Sequence, residues 1–224
     1  MTASPLTISS AQMDSWITRS RLAPFLSATY ADHSAAADLY VWHARLSGAC
    51  IEAVHHVEVL VRNAIHRELQ AGQMDDGLRS WLIDASILGP GELNAVDAAI
   101  MRLRRLHKPV TADRVVAGLQ LSFWARLTGA RYDELWKSTL HQAFPHGSGN
   151  RKDVAGPLNR VSQLRNDIAH HKSILDVPVA ERHRDLLDLA ASVDPAAAEW
   201  IAGISRVEAV LSQAPSAVGV RALG

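Results

Sequence analysis

The densest concentration of reactive side chains is the run Leu164-Arg165-Asn166-Asp167-Ile168-Ala169-His170-His171. It sets a permanent cation, an amide and two imidazoles within two helical turns. Cleaving RNA through its own 2′-hydroxyl needs few parts. A group must move protons near neutral pH, which histidine does at its ordinary pKa. A fixed positive charge must balance the five-coordinate phosphorus, which a guanidinium does. The amide orients the phosphate or the imidazole. The substrate supplies the nucleophile, so this chemistry requires neither a metal nor a cofactor.

A helix is the element that must position these groups. Leu158, Val161, Leu164 and Ile168 form an apolar stripe at helical spacing. At about 100° per residue, Asn166 and His170 lie one above the other, and His170 falls nearly opposite the stripe. His171 falls near the core edge. Arg165 lies about 140° from His170 around the axis. A long side chain closes part of that gap, and a second copy of the helix across a two-fold interface would close the rest. The geometry therefore hints at a composite site in a homodimer.

The remaining elements read as helices too. A first helix is expected to begin after Ser9 or Ser10 and to end before Pro24. A long second helix is expected between a Ser34 cap and Gly72, with Leu39, Trp42, Leu46, Ala49, Ala53, Val57, Leu60 and Ala64 as its core stripe and Gly48 as a possible bend. The glycine-rich stretch 72–91 reads as a connection with a short helical turn around Trp81. Further helices are expected over Glu92–His107, from a Thr111 cap to Thr128, over Arg131–Phe144, and over Asp153–His171. Asp176 with Pro178, and Asp194 with Pro195, start the last two. The predicted fold is all-α: one domain over 1–224, an up-and-down helical bundle with flanking helices and flexible ends near 1–8 and 213–224.

Composition agrees with this. Hydrophobic residues make up 48% of the 224 residues, enough to expect a real core, and aromatics only 5%, which favours helices over strands. Lys plus Arg and Asp plus Glu balance at 23 each, so any nucleic-acid contact must come from a local patch. The single cysteine, Cys50, sits in an apolar pattern and suits a buried residue in a reducing compartment. The first residues lack the basic head and apolar run of a secretory signal, and no apolar stretch reaches the roughly 20 residues that span a bilayer. The expected setting is cytoplasmic, away from the membrane.

The run Arg165-Asn166-x3-His170-His171 resembles the R-x4-6-H motif of the HEPN superfamily. More narrowly, it is similar to the R-N-x3-H-H of the Abi-like (abortive infection) proteins. Glu58-Val59-Leu60-Val61-Arg62-Asn63 resembles the E-x3-R-N pattern of the family's early long helix, and Leu121-Ser122-Phe123 its L-S-F segment. Together these span residues 58–171 in the family's order. After the histidines, Lys172-Ser173-Ile174-Leu175 stands where R-L-W-N is common. The resemblance implies a HEPN-type bundle, often dimeric, with a metal-independent ribonuclease site. It also implies a role in phage defence or a toxin–antitoxin system, with an antitoxin protein as a possible partner. By carry-over, Arg165 and His170 are the catalytic pair and Asn166 assists; from their own placement, His171 reads as a supporting group, and Glu58 and Arg62 as facing the Arg165–His170 helix and orienting it. The alternative is a catalytically inactive HEPN-like helical module that binds RNA or a protein partner.

Other constellations have plainer readings. Glu58 and Arg62 are spaced as a favourable helical ion pair, worth a few tenths of a kcal/mol (about 0.2–0.5), and lie with His55 and His66 along a polar stripe. Glu52-x2-His55 and Asp167-x2-His170 match half of a di-metal helical bundle, without the further inward acids it needs. Arg102, Arg104, Arg105, His107 and Lys108 suit a helix C-terminus; the functional reading is that they track an RNA backbone together with Arg151 and Lys152. The loop His146-Gly147-Ser148-Gly149 is no phosphate-binding fingerprint. Trp124 and Trp136 read as core.

Overall fold

The computed structural model describes residues 10–71 and 80–215, and among these the fold is all-α, with no strand. Gly72, Gly77 and the expected loose ends, apart from 213–215, lie outside the described residues. By its contacts the chain divides into two compact units. One comprises Met1–Glu52, Leu164–His183 and Ser205–Gly224; the other comprises Ala53–Gln163 and Arg184–Ile204.

The N-terminal segment forms two helices where one was expected, α1 (Ser10–Trp16) and α2 (Arg19–Ala28). Pro24 lies inside α2 instead of ending a helix. The carbonyl its ring leaves unbonded is that of Ser20, an exposed residue, so water can satisfy it. The long helix α3 (His33–Gln70, 38 residues) is capped by Asp32, not Ser34. The Asp32 carboxylate accepts from the Ser34 and Ala35 amides at 2.9 and 3.1 Å. Its apolar stripe is buried as the spacing predicts, except that Leu60 is only half-buried.

In the second unit a 3-10 turn at Trp81–Ile83 precedes α4 (Pro90–Arg105), which starts on a first-position proline. The helix expected from Thr111 to Thr128 is instead two, α5 (Ala112–Gly118) and α6 (Leu121–Leu127). Thr111 caps α5 as expected, its hydroxyl accepting from the Arg114 amide. The segment expected as one helix over 131–144 is a 3-10 turn, α7 (Asp133–Ser138) and a second 3-10 turn. Trp81, Phe123 and Trp124 pack ring against ring at centroid distances of 5.0 to 6.3 Å, all three within 1% of full burial. Each such side chain removed from water contributes about 1.5–3 kcal/mol. A buried polar knot pins the start of α4: Glu92 accepts from Arg126 Nε and from the Tyr132 hydroxyl, both at 2.6 Å, and the Gly89 amide donates to that hydroxyl at 3.0 Å. Burial opposes the charge on Glu92, but these hydrogen bonds outweigh it and hold the carboxyl below its ordinary range.

Asn150 caps α8 (Arg151–Ala169), its side chain accepting from the Lys152 amide at 3.1 Å. α9 (Val179–Val193) follows Pro178. α10 (Pro195–Ile204) starts under an Asp194 cap, and α11 (Val207–Leu211) closes the described chain. No helix among the described residues is long and apolar enough to cross a membrane.

Candidate functional site

The reactive run occupies the last two turns of α8 and the turn that follows. Leu158, Val161, Leu164 and Ile168 are at most 9% exposed, so the apolar stripe is buried as the spacing predicts. His170 is exposed, as its position opposite the stripe requires. His171 is exposed as well, which corrects its expected place near the core edge. The reason is local. Helix α8 ends at Ala169, and His171 takes a left-handed conformation (φ 55°) that throws it out of helical phase. The His171 amide donates to Ile168 O and the Lys172 amide to Asp167 O, both at 2.8 Å, which is the Schellman ending of a helix. The same ending recurs at His107-Lys108 after α4, with φ 50° at His107. A left-handed histidine is therefore a capping solution this chain uses twice, and strain alone does not mark His171 as functional.

Within the first unit this turn forms one wall of a cleft of about 540 Å³. His170, His171 and Lys172 line it together with Arg21 of α2, Tyr40 and His43 of α3, and the hydroxyl-bearing residues Thr18, Ser20, Ser47 and Ser173. Among the described residues that wall it, none is an Asp or a Glu. Arg21 Nη1 donates to the His171 carbonyl at 3.1 Å, tying α2 to the turn. Lys172 Nζ reaches back to Asp167 Oδ1 at 2.9 Å, so its charge is partly balanced just outside the cleft.

His43 fixes the other side of the turn. Its Nε2 accepts the Ile174 amide proton at 3.0 Å, which places the ring proton on Nδ1. Phe25 packs edge-on against the ring at 5.1 Å. Burial pushes the His43 pKa down to about 4, so the ring is neutral at physiological pH and serves as an anchor. Arg21 and His43 were not legible as site residues: they lie more than 120 residues from His171 in the chain, and neither sits in a motif.

Arg165 and Asn166 are half-buried one turn earlier on α8, with Arg165 Nη1 donating to Asn166 Oδ1 at 3.4 Å, and neither borders the cleft. The structure thus brings His170 and His171 together at one cleft and leaves Arg165 and Asn166 behind it. Glu58 and Arg62 are half-buried on the part of α3 that belongs to the second unit, and the Arg62 Nε is buried without a hydrogen-bond partner.

The competing constellations resolve individually. Glu52 accepts from Arg206 and Asp167 from Lys172. Among the described residues no group of three or more His, Cys, Asp or Glu side chains converges as metal ligands. Arg102, Arg104 and Arg105 are exposed in the last turn of α4. Arg151, expected to join them on a backbone track, is instead spent internally, on Asp133 Oδ1 at 3.0 Å and Thr128 O at 2.7 Å. Trp124 and Trp136 are core, and burial pushes the Cys50 thiol pKa up to about 12.

No known family model matches this chain, and no curated protein or solved structure is significantly similar to it.

Proposed function

We propose that the chain is a metal-independent endoribonuclease of HEPN, Abi-like type, acting in phage defence or a toxin–antitoxin system. The observation that carries this reading is the cleft at the end of α8. It presents two exposed imidazoles, a guanidinium and an ammonium, with no carboxylate among the described residues that wall it. Such a surface attracts a phosphodiester and offers imidazoles as proton-transfer groups.

In this reading one imidazole, His170, accepts the proton of the RNA 2′-hydroxyl as that oxygen bonds to the adjacent phosphorus. The P–O5′ bond breaks, and a protonated imidazole, His171, donates its proton to the departing 5′ oxygen. The products are a 2′,3′-cyclic phosphate and a 5′-hydroxyl, with no net change in protons. Arg21 and Lys172 balance the charge on the phosphorane oxygens. Arg165 and Asn166 stand behind the histidines in one protomer and orient the end of α8. A homodimer belongs to this reading, because a second α8 would supply the guanidinium that one helix holds about 140° away from His170. An antitoxin partner would cover the same cleft.

Cleavage of single-stranded RNA in excess EDTA, compared between wild type, His170→Ala and Arg165→Ala, tests the proposal. Loss of cleavage in a folded His170→Ala protein is expected. Undiminished cleavage by that variant removes the catalytic assignment. A wild-type protein that binds RNA but never cuts it supports the alternative, an inactive module of the same fold.

A further inference from the structure

His183 of α9 is 4% exposed and does not border the cleft at the end of α8. A serine and a carboxylate from the start of α11 reach its two ring nitrogens. Ser205 Oγ lies 2.9 Å from Nε2, and Glu208 Oε1 lies 3.7 Å from Nδ1. All three residues belong to the first unit. An ionised carboxylate only accepts, so the ring proton sits on Nδ1, toward Glu208, and Nε2 accepts the Ser205 hydroxyl proton. Burial lowers the His183 pKa although Glu208 opposes the shift, so the ring is neutral at physiological pH and can take up a proton. The cluster is held in place: Trp42 Nε1 of α3 donates to the Val210 carbonyl at 2.8 Å, Val207 and Leu211 are buried, and Arg206 pairs with Glu52. Ser205-x2-Glu208 has the spacing of a capping box, but that motif has no use for an imidazole and sends its glutamate back to the serine amide. Here the Glu208 carboxylate turns to His183.

From this geometry we infer that Ser205 is an activated nucleophile, with His183 as its base and Glu208 orienting the ring, and that it takes the acyl group of small neutral esters. A hydroxyl, a base within hydrogen-bond reach and a group that orients the base are the parts such activation needs. Ser205 Oγ bonds to the ester carbonyl carbon as His183 Nε2 takes the hydroxyl proton. The bond to the leaving alcohol breaks as the imidazolium returns that proton to the alcohol oxygen. Water then releases the acid by the same route. Ser205 is half-buried, which limits the size of the acyl group. The Glu208 carboxylate is 82% exposed nearby and repels an anionic one, while the adjacent Arg206 is spent on Glu52. This chemistry involves no RNA, so it stands or falls separately from cleavage in the α8 cleft.

The full chain is treated with diisopropyl fluorophosphate, which transfers its phosphoryl group to an activated serine and releases fluoride, and with p-nitrophenyl acetate. The intact mass should rise by a single diisopropylphosphoryl group, located to Ser205 by peptide mass, and acylation should release a burst of about one equivalent of nitrophenolate. Ser205→Ala should lose both the adduct and the burst. His183→Gln should slow labelling by about a hundredfold or more, the worth of a positioned base. Glu208→Gln, an exposed change, should slow it by about threefold. It should also move the pH of half-maximal labelling down, because the carboxylate raises the ring's pKa. Wild type and Glu208→Gln replace no buried residue, so they decide the matter even if His183→Gln fails to fold. The inference is overturned if Ser205 carries no adduct after prolonged treatment with millimolar probe, if the adduct lies on another residue, or if a folded His183→Gln protein labels at the wild-type rate.

Discussion

Acid should loosen the cleft through one side chain, and the size of the effect follows from the structure. His43 is 9% exposed and accepts the Ile174 amide proton on Nε2, so protonation requires breaking that bond and charging a buried ring. Its folded pKa of about 4 lies below the ordinary value of 6.5. A depressed histidine contributes stability that is complete above the unfolded pKa and is lost as pH falls toward the folded one. The unfolded chain takes up a proton that the folded chain refuses. The loss amounts to about 2 kcal/mol between pH 7 and pH 5 and about 3 kcal/mol by pH 4. His43→Gln keeps an acceptor for Ile174 but does not titrate. Urea unfolding of both proteins at pH 7, 5 and 4 measures the difference. Burial lowers the pKa of His66 and His183 as well, and these act alike in both proteins, so subtraction removes them. The variant should start about 1 kcal/mol less stable at pH 7 and lose less than wild type on acidification, by the margin above. Parallel loss in the two proteins would refute the anchoring role of His43.

Three other outcomes are expected. His171→Gly and His107→Gly both relieve a left-handed residue, so each should leave the melting temperature unchanged or raise it, by up to about 1 kcal/mol in stability; RNA cleavage should fall in the first only. Arg21→Gln removes both a cleft cation and the tie to the His171 carbonyl, so RNA binding should weaken and its salt dependence flatten, as measured from 50 to 200 mM salt (the usual range). Tyr132→Phe deletes a donor to buried Glu92 and should cost about 1–3 kcal/mol in urea unfolding without changing RNA cleavage.

The sequence carries the long helices because α3, α8 and α9 each bury an apolar stripe at 3.6-residue spacing. Leu158, Val161, Leu164 and Ile168 alone suffice to turn His170 outward. What it does not carry are the breaks. The split between α5 and α6 falls at Leu119 and Gln120, whose backbone is extended (ψ 135° and 160°), and neither residue type marks a helix end locally. The Asp32 cap won over Ser34 because a carboxylate two residues earlier reaches two amides at once. The cleft was half legible. Its imidazoles share one helix end, whereas Arg21 and His43 arrive from α2 and α3 through folding alone. Arg165 shows the limit of reading a motif by spacing: a helix that presents His170 to the cleft sets a residue five positions earlier about 140° away.

The most direct test of the cleft's chemistry is the mass of the RNA ends it produces. Wild-type protein in EDTA is incubated with an RNA oligomer and with its fully 2′-O-methylated counterpart. The account expects cuts in the first only, with 2′,3′-cyclic phosphate and 5′-hydroxyl termini. Equal cutting of the methylated strand, or products bearing a 5′-phosphate, would contradict it.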